Sequence, residues 1–398
     1  MDSRVAYTEE IDDLDEAVSE IFRQTDDFKL LSNSMAILYT EEDTDYRALY
    51  EKLSKKWDFP IIGCTTMAML LGKEGYCRNG ISVTILTADD CTFSAGMTDD
   101  VNVSNYKDLI TAKYNELKKA HNDDIKLIIS FGGMVISKDS VAGDDLVALL
   151  NELGGGTPIY GGNASDDFSF GNYNLFFNGN VTKCGQVIAL ISGNIDPMFI
   201  CLNSVENRAR FSYKVTRSEG NLVYRLGNGS FTDALVKENM LVSDKDNVLG
   251  DYLLSPFIVG IEKDDGDIVE VARNLSMINR DMGMGFFLGD IPENSIMSVG
   301  VLNRPDVQNT VEKAFSLMLR QMRGAYKYRT ILCTSCSARF LALASNTEAE
   351  AEAYKGRLPE HISLSGMYAY GEYCPLRGDK TGREYNMFHN FTFTLLAL

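Results

Sequence analysis

Tyr160-Gly-Gly-Asn-Ala-Ser-Asp-Asp167 is the stretch around which the chain is organised. It follows a predicted helix over residues 141–153 that ends at Gly154-Gly155-Gly156, and residues 158–160 are typical of a short buried strand. Two glycines at the end of a strand let the backbone turn or approach another group closely. The polar residues that follow could form an Asx-rich turn. They also place several hydrogen-bonding groups together, as a binding loop would: Asn163, Ser165, Asp166 and Asp167.

The composition is that of a globular protein with a strong acidic excess. Among 398 residues, 38 basic and 56 acidic side chains give a formal net charge of −18. This charge disfavours nonspecific binding to nucleic acid or to an anionic membrane. We expect no membrane span and no signal peptide, because the chain has no long apolar run. The eight cysteines are scattered through apolar stretches, which favours reduced thiols and a cytoplasmic location.

A similar order of helices, strands and polar loops recurs three times along the chain. In each copy a buried strand precedes a second strand that contains a glycine, and the spacing is comparable in the pairs Met35 and Gly63, Leu127 and Gly161, and Ile331 and Gly366. The sequence therefore predicts an α/β fold with mixed sheets built from three α-β-α-β-β-like units in two domains. A change of composition near residue 204 places the domains at residues 30–204 and 205–398. The three glycine-containing loops should occupy equivalent places in their sheets.

Local signals predict several pairings and helix ends. Residues 81–86 and 91–95 should pair as a hairpin, and residues 173–177 should pair with 186–191 through the turn dipeptide Asn178-Gly179. The first helix is expected over residues 9–22 with Thr8 as its N-cap. Thr347-Glu-Ala-Glu350 has the pattern of a capping box.

Several motifs, in order, resemble those of the FIST family (F-box and intracellular signal transduction). The N-terminal half is similar at residues 161–167, 178–179 and 187–191. The C-terminal half is similar at Val215-Thr216, at residues 220–223, at Cys336-Ser-Ala-Arg339, at residues 366–372 and at Phe388-His-Asn390 with Thr392. The resemblance runs from about residue 30 to residue 398. The chain departs from the family pattern at Cys374, and at an extra Cys333 before Cys336.

The resemblance implies a cytoplasmic sensory module that binds a small ligand, for which amino acids have been proposed. One branch of the family binds haem and responds to nitric oxide, so a haem-binding gas sensor is an alternative. We expect no attached kinase, cyclase or F-box segment, and therefore output through a protein partner of the kinase, cyclase or chemoreceptor type.

The cysteine and histidine residues leave several interpretations open. Cys333-Thr-Ser-Cys336 could be a pair of packed thiols, a redox-active pair or half of a zinc site, with Cys374 and His389 as further ligands. A redox switch or thiol enzyme that depends on Cys336 is therefore a second alternative function. His389 could be a haem ligand or a buried hydrogen-bonding residue.

Catalytic and nucleotide-binding motifs are not found. No Gly-x-Ser-x-Gly elbow, phosphate-binding loop or dinucleotide-binding pattern occurs in the sequence. The sequence therefore predicts a binding module that is not an enzyme and needs no cofactor, with haem as the exception to test.

Two polar clusters beside glycines suggest a single ligand site between the halves of the chain. Arg339 and Glu372 could clamp a zwitterion, with the guanidinium on a carboxylate and the glutamate on an ammonium group. A structural ion pair between them is the simpler interpretation. The predicted ligand-binding residues are Asn163, Asp166, Asp167, Arg339, Tyr370, Glu372 and His389.

Overall fold

The computed structural model describes residues 1–134, 139–241, 255–322 and 328–398. Up to residue 97 the elements are β1 (Asp2–Thr8), α1 (Leu14–Thr25), β2 (Asn33–Thr40), α2 (Tyr46–Leu53), β3 (Ile61–Thr65), β4 (Met69–Leu71), β5 (Gly75–Cys77), β6 (Ile81–Ala88) and β7 (Cys91–Met97). The next segment contains α3 (Tyr106–Lys118), β8 (Ile125–Gly132), α4 (Gly143–Leu153), β9 (Ile159–Asn163), β10 (Leu175–Phe177), β11 (Asn180–Thr182) and β12 (Gln186–Gly193).

The second half continues with β13 (Met198–Asn203), β14 (Asn207–Glu219), β15 (Leu222–Leu226), β16 (Gly229–Ser230), α5 (Phe231–Lys237), β17 (Pro256–Glu262), β18 (Ile268–Asn279), β19 (Met284–Phe287) and β20 (Ile296–Val301). The last segment contains α6 (Arg304–Met322), β21 (Thr330–Cys336), α7 (Ser337–Leu343), α8 (Ala349–Tyr354), β22 (Ser363–Ala369), β23 (Glu372–Arg377), β24 (Glu384–His389) and β25 (Thr392–Ala397).

Three six-stranded mixed sheets share one strand order. Sheet 1 runs β1-β6-β2-β3-β10-β11, sheet 2 runs β7-β12-β8-β9-β23-β24, and sheet 3 runs β13-β25-β21-β22-β4-β5. In each sheet the third and fourth strands are parallel, and the second strand is antiparallel to the third. The predicted α/β class with mixed sheets is therefore confirmed, and the three sheets repeat the same strand order. Each unit also contains an edge strand and a hairpin that the sequence pattern did not resolve.

The hairpins are exchanged cyclically between the sheets. The β4–β5 hairpin of the first unit extends sheet 3, the β10–β11 hairpin of the second extends sheet 1, and the β23–β24 hairpin of the third extends sheet 2. Every sheet therefore depends on a segment that is distant in sequence. This exchange fixes the three sheets around one another.

Gly63, Gly161 and Gly366 occupy the same register in their sheets. They lie opposite Leu38, Ser130 and Cys333 in the neighbouring parallel strands. A Cβ atom at these glycines would come within 1.8, 1.9 and 2.5 Å of the carbonyl oxygen of that partner. Only glycine therefore permits this close approach of the two parallel strands. The predicted equivalence of the three glycine positions is confirmed.

The inner faces of the three sheets form one shared hydrophobic core. Tyr39 from sheet 1, Ile129 from sheet 2 and Leu332 from sheet 3 belong to the same buried cluster. Each outer face is covered by helices: α1 and α2 on sheet 1, α3 and α4 on sheet 2, and α6 and α8 on sheet 3. We call this assembly the three-sheet body.

A six-stranded barrel is inserted between β13 and α6. Strands β14, β20, β17, β18, β19 and β15 follow one another around it, and the pairing of β14 with β15 closes the ring. The barrel is joined to the three-sheet body by the buried Arg273 of β18. Its Nη2 donates to Asp144 of α4 at 2.8 Å, and its Nη1 donates to the carbonyl of Phe388 at 3.0 Å. These two contacts tie β18 of the barrel to α4 and to Phe388 of the three-sheet body.

Several local predictions were wrong because non-local pairing overrides them. Strands β6 and β7 belong to different sheets, and so do β10 and β12. Asn178-Gly179 does form a hairpin turn, but it joins β10 to β11. The first helix begins at Leu14 with Asp13 as its N-cap, and β1 precedes it.

Candidate functional site

Three loops interlock where the parallel strands of the three sheets end. The backbone N–H of Ser165 donates to the carbonyl of Thr65 at 3.1 Å, and the N–H of Tyr370 donates to the carbonyl of Asn163 at 3.1 Å. The hydroxyl of Ser165 donates to the carbonyl of Tyr368 at 2.7 Å. The stretch from Tyr160 to Asp167 therefore lies at the junction of all three sheets, and one loop from each sheet contributes to it.

Asp166 organises the loop that follows β9. Its buried carboxylate accepts hydrogen bonds from the hydroxyls of Tyr370 at 2.6 Å and Ser169 at 2.7 Å. It also accepts from the backbone N–H groups of Phe170, Gly171 and Asn172 at 3.0, 2.9 and 2.8 Å. Burial opposes the charge, but these bonds outweigh it and hold the pKa of Asp166 at about 2. The carboxylate has no lone pair to spare, so Asp166 shapes the loop and is not a free ligand-binding group.

The loop holds two phenylalanines in a strained backbone conformation. Phe168 and Phe170 have φ angles of 60° and 57°, and Phe391, which follows the cleft residue Asn390, has 59°. A positive φ is costly for a bulky residue, roughly 1–3 kcal/mol each, and such strain concentrates at functional sites. The ring of Tyr370 lies 5.0 Å from that of Phe170 and 6.2 Å from that of Phe168, centroid to centroid. The rings of Phe168, Phe170 and Tyr370 therefore form an aromatic wall.

This wall borders a narrow cleft between the three-sheet body and the barrel, which we call the loop–barrel cleft. Its lining residues are Met134, Phe168, Phe170, Asn274, Leu288, Cys336, Ser337, Ala338, Leu341, Ala369, Tyr370 and Asn390. The free volume is about 30 Å³, which is room for roughly one water molecule. None of these lining side chains is an ionised acid or base. A ligand larger than water must therefore open the cleft, and its binding would rest on apolar contacts and neutral hydrogen bonds.

One polar atom in the cleft lacks a partner among the described residues. Asn274 is 4% exposed, and its Oδ1 is buried without a hydrogen bond. Its backbone is fixed on both sides, because its N–H donates to Oδ1 of Asn390 and its carbonyl accepts from Leu288. A buried acceptor without a partner costs about 1–3 kcal/mol. A ligand that donates a hydrogen bond to Asn274 Oδ1 would recover that cost.

Cys336 lines the cleft, and Glu372 lies next to it behind the cleft. Burial, together with the nearby Glu372, raises the pKa of the Cys336 thiol well above its usual range. Burial also raises the pKa of Glu372 to about 8, although Thr392 Oγ1 donates to its Oε2 at 2.7 Å. At neutral pH the thiol is therefore protonated and the acid is largely neutral. This is an unreactive arrangement, unlike that of a nucleophilic cysteine.

Arg339 does not pair with Glu372, so the predicted clamp is wrong. Its guanidinium is fully buried and forms an ion pair with Glu350, and its Nε also donates to Ser335 Oγ at 3.1 Å. Further hydrogen bonds run from the guanidinium to Ser204 Oγ and to the carbonyl of Val307. Arg339 therefore joins β21, α6 and α8 as a structural residue. The predicted capping box is wrong for the same reason, because the carboxylate of Glu350 faces Arg339.

The other predicted residues divide into separate places. Asn163 and Tyr370 lie with Asp166, and Asn163 Oδ1 also accepts from the hydroxyl of Tyr373. Asp167 is exposed and pairs with Arg78 at 3.0 Å. Glu372 and His389 are cross-strand partners in sheet 2, behind the cleft.

His389 is buried and its Nε2 is already engaged. That nitrogen lies 2.9 Å from the carbonyl oxygen of Cys374 and 3.6 Å from Sγ of Cys201. An axial haem ligand needs this nitrogen free and facing an open slot. The surroundings of His389 therefore do not fit a haem.

The C-x-x-C pattern lies on a single strand and cannot form a local disulfide. Cys333 and Cys336 both belong to β21, and residues three apart on a strand point to opposite faces. Cys333 packs in the core under α6, whereas Cys336 packs in the cluster beside the barrel. No group of metal-binding side chains occurs within the described part of the chain. The packed-thiol interpretation therefore holds for this pair.

Phe168, Phe170, Asn274 and Asn390 line the cleft but were not among the predicted ligand-binding residues. Phe168 and Phe170 follow directly after Asp167, so an aromatic pair next to an Asx-rich turn was the available signal. Asn274 lies on β18, and nothing local marks it. Asn390 follows β24 and belongs to the motif Phe388-His-Asn390, but that motif does not by itself indicate a cleft residue. Only the docking of the barrel on the three-sheet body brings them to the cleft.

Comparison with known proteins identifies the family. The FIST N domain matches residues 34–228, and the FIST C domain matches residues 234–375. Among curated proteins none matches the chain. Within the described residues no helix is both long and apolar enough to cross a membrane. With matches that cover nearly its whole length, the chain belongs to the FIST family, whose domains are sensory and signal-transduction modules.

Proposed function

We propose that this chain is a non-catalytic sensory module that binds a small ligand in the loop–barrel cleft and signals through a partner protein. The observation that carries the proposal is the unpartnered Oδ1 of Asn274, buried opposite the strained aromatic loop of Phe168 and Phe170. A desolvated acceptor facing an aromatic wall is the pattern of a specific small-molecule site. A cytoplasmic location is part of the proposal.

The chemistry of the cleft favours a ligand with one apolar part and one hydrogen-bond donor. Phe168, Phe170, Leu288 and Leu341 supply the apolar surface, while Asn274 supplies the acceptor. A hydrophobic amino acid fits this pattern when its ammonium group donates to Asn274. Its carboxylate finds no cationic partner among the described lining residues, so the corresponding amide should bind at least as well as the acid.

Signalling would follow from the opening of the closed cleft when a ligand binds. Because the cleft holds about 30 Å³ of free space, a bound ligand must displace the Phe168–Phe170 loop or shift the barrel against the three-sheet body. Either movement changes a surface composed of both parts, and a partner that recognises one arrangement would read it. The net charge of −18 favours a partner with a neutral or basic surface, of the kinase, cyclase or chemoreceptor type.

The test is a thermal-shift screen of the purified chain against amino acids, their amides and small metabolites. A ligand that binds only the folded state raises the melting temperature with its concentration. We expect Phe170→Ala and Asn274→Leu to remove most of this shift. Phe22→Ala is the matched control, because Phe22 is a partly buried phenylalanine that packs against the α1–α2 cluster on sheet 1.

Two results would contradict the proposal. One is a ligand response that survives unchanged in both cleft variants. The other is a response that Phe22→Ala reduces as much as Phe170→Ala does. In either case the ligand would bind outside the loop–barrel cleft.

A further inference from the structure

A second cluster of reactive groups lies outside the loop–barrel cleft, where sheet 3 meets sheet 2. Cys201 is on β13, the edge strand of sheet 3, and it is partly exposed. Its Sγ lies 3.6 Å from Nε2 of His389, on the hairpin that extends sheet 2. Neither the sequence motifs nor the proposed ligand site involves Cys201.

The proton position in this cluster is set by a backbone carbonyl. Nε2 of His389 lies 2.9 Å from the carbonyl oxygen of Cys374, and a carbonyl can only accept. Nε2 therefore carries a hydrogen atom, and this N–H also faces the sulfur of Cys201. A donor facing a thiol sulfur stabilises the thiolate.

Cys374 supplies a second thiol next to the first. It lies on β23, which packs beside β13, and it is fully buried. A hydrogen bond from the Cys374 thiol, with a further contribution from His389 against the cost of burial, lowers the pKa of Cys201 to about 5. Burial and the negative charge on Cys201 raise the pKa of Cys374 well above its usual range. Of the two thiols, Cys201 is therefore the more acidic, and Cys374 keeps its proton more strongly.

We propose that Cys201 and Cys374 are a peroxide-reactive dithiol that forms a reversible disulfide between sheet 3 and sheet 2. The co-reactant is a hydroperoxide. The proposal does not depend on the ligand-binding role of the cleft, and it concerns neither Cys333 nor Cys336.

The reaction has two steps, formation of a sulfenic acid and then of the disulfide. The Cys201 thiolate attacks one peroxide oxygen, the O–O bond breaks, and the leaving oxygen takes a proton to give water or an alcohol, which leaves Cys201 as a sulfenic acid. The sulfur of Cys374 then attacks the sulfur of Cys201. The S–O bond breaks, the oxygen leaves as water with the Cys374 proton, and the disulfide forms. Two thiols are oxidised by two electrons and one peroxide is reduced.

The disulfide would act on the strand that leads into the barrel. Strand β13 ends at Asn203, and the hydroxyl of the next residue, Ser204, accepts a hydrogen bond from Arg339. Tying Cys201 to β23 would therefore restrain the segment that connects the three-sheet body to the barrel. A reductant such as a dithiol would reverse this restraint.

The test is oxidation of the whole purified chain with stoichiometric hydrogen peroxide, followed by thiol counting in denaturant and peptide mapping. We expect two of the eight thiols to disappear, one Cys201–Cys374 cross-linked peptide, and full recovery with a reductant. In Cys374→Ser, oxidation should stop at a sulfenic acid on Cys201 that a dimedone probe captures. At pH 6, alkylation of Cys201 should be at least roughly tenfold faster than that of Cys184.

Cys184 is the matched control. Its side chain is largely exposed, and the partial burial of its sulfur together with the nearby Asp100 raises its pKa. Cys184→Ser should leave the loss of two thiols unchanged, and His389→Asn should slow the alkylation of Cys201. The proposal is overturned if peroxide leaves all eight thiols free, or if Cys184 is oxidised before Cys201. It is equally overturned if Cys374→Ser yields no probe-labelled Cys201.

Discussion

The hydroxyl of Tyr370 should account for much of the stability of the aromatic loop. It donates to Asp166 Oδ1 at 2.6 Å and accepts from the backbone N–H of Phe168 at 2.9 Å. A hydrogen bond to a charged group is worth about 1.5–3 kcal/mol. Tyr370→Phe removes this bond without removing the ring. We expect it to lower the free energy of unfolding by about 2–3 kcal/mol at pH 7, because strain at Phe168 also loses its support.

The same substitution should change the response to acid. The pKa of Asp166 is lowered in the folded chain from 3.8 to about 2, so the stability that it contributes is present above pH 4 and is lost as the pH falls toward 2. The preference of these hydrogen bonds for the ionised over the protonated carboxyl corresponds to roughly 1–2 kcal/mol, after allowing for the solvent that borders the loop. The difference between the native chain and Tyr370→Phe should therefore be largest at neutral pH and smaller at pH 3.

Urea unfolding at pH 7 and pH 3 measures both effects. Tyr7→Phe is the control, because the hydroxyl of Tyr7 makes an exposed hydrogen bond to the carbonyl of Asn79. It should cost less than about 1 kcal/mol. A cost for Tyr370→Phe equal to that of Tyr7→Phe would refute the role given to the loop. So would a difference from the native chain that does not change with pH.

Three further predictions concern the fold and the buried charges. Gly161→Ala should prevent folding to the native state, because its Cβ would lie 1.9 Å from the carbonyl oxygen of Ser130. The control Gly156→Ala has open space around its Cβ and should lower the free energy of unfolding by only about 1 kcal/mol for its positive φ; soluble yield and circular dichroism distinguish the two variants. Arg339→Met should lower the free energy of unfolding by roughly 3–5 kcal/mol, because it leaves Glu350 buried without its ion-pair partner. Adding Glu350→Met should raise the urea midpoint part of the way back, and a double variant no more stable than Arg339→Met would contradict the pairing. The pKa of Glu372 is raised to about 8 in the folded chain, so its contribution to stability is present below pH 4.5 and is lost as the pH rises through 8. Glu372→Gln should therefore weaken the dependence of the melting temperature on pH between pH 5 and pH 8, and an unchanged dependence would contradict the raised pKa of Glu372.

The sequence allowed the recurring order of strands and the three glycine positions to be predicted because their signals are local. Gly63, Gly161 and Gly366 follow buried strands at similar spacing. Each must be glycine for the same reason, because a Cβ atom would collide with a carbonyl oxygen of the neighbouring strand. The hairpin partners could not be predicted. Glu372 pairs with Gly162 across the chain, and no local pattern favours that pairing over adjacent strands.

The site was predicted in part for the same reason. Asp166 and Tyr370 were predicted site residues because each lies in a polar loop beside a glycine, and the structure joins them by a hydrogen bond. The predicted partner of Arg339, Glu372, was wrong. Glu350 has the spacing of a capping residue, and local spacing does not reveal that a buried cation lies near it. Asn274 could not be found from sequence, because only the docking of the barrel makes it part of the cleft.

The most direct measurement of the central claim is a crystal structure of the chain with the strongest ligand from the thermal-shift screen. We expect a ligand in the loop–barrel cleft that donates a hydrogen bond to Asn274 Oδ1 and contacts Phe170. We also expect a cleft wider than the 30 Å³ of the free chain, with the aromatic loop or the barrel displaced. A ligand bound elsewhere, with the cleft still closed and Asn274 Oδ1 still unpaired, would contradict this expectation.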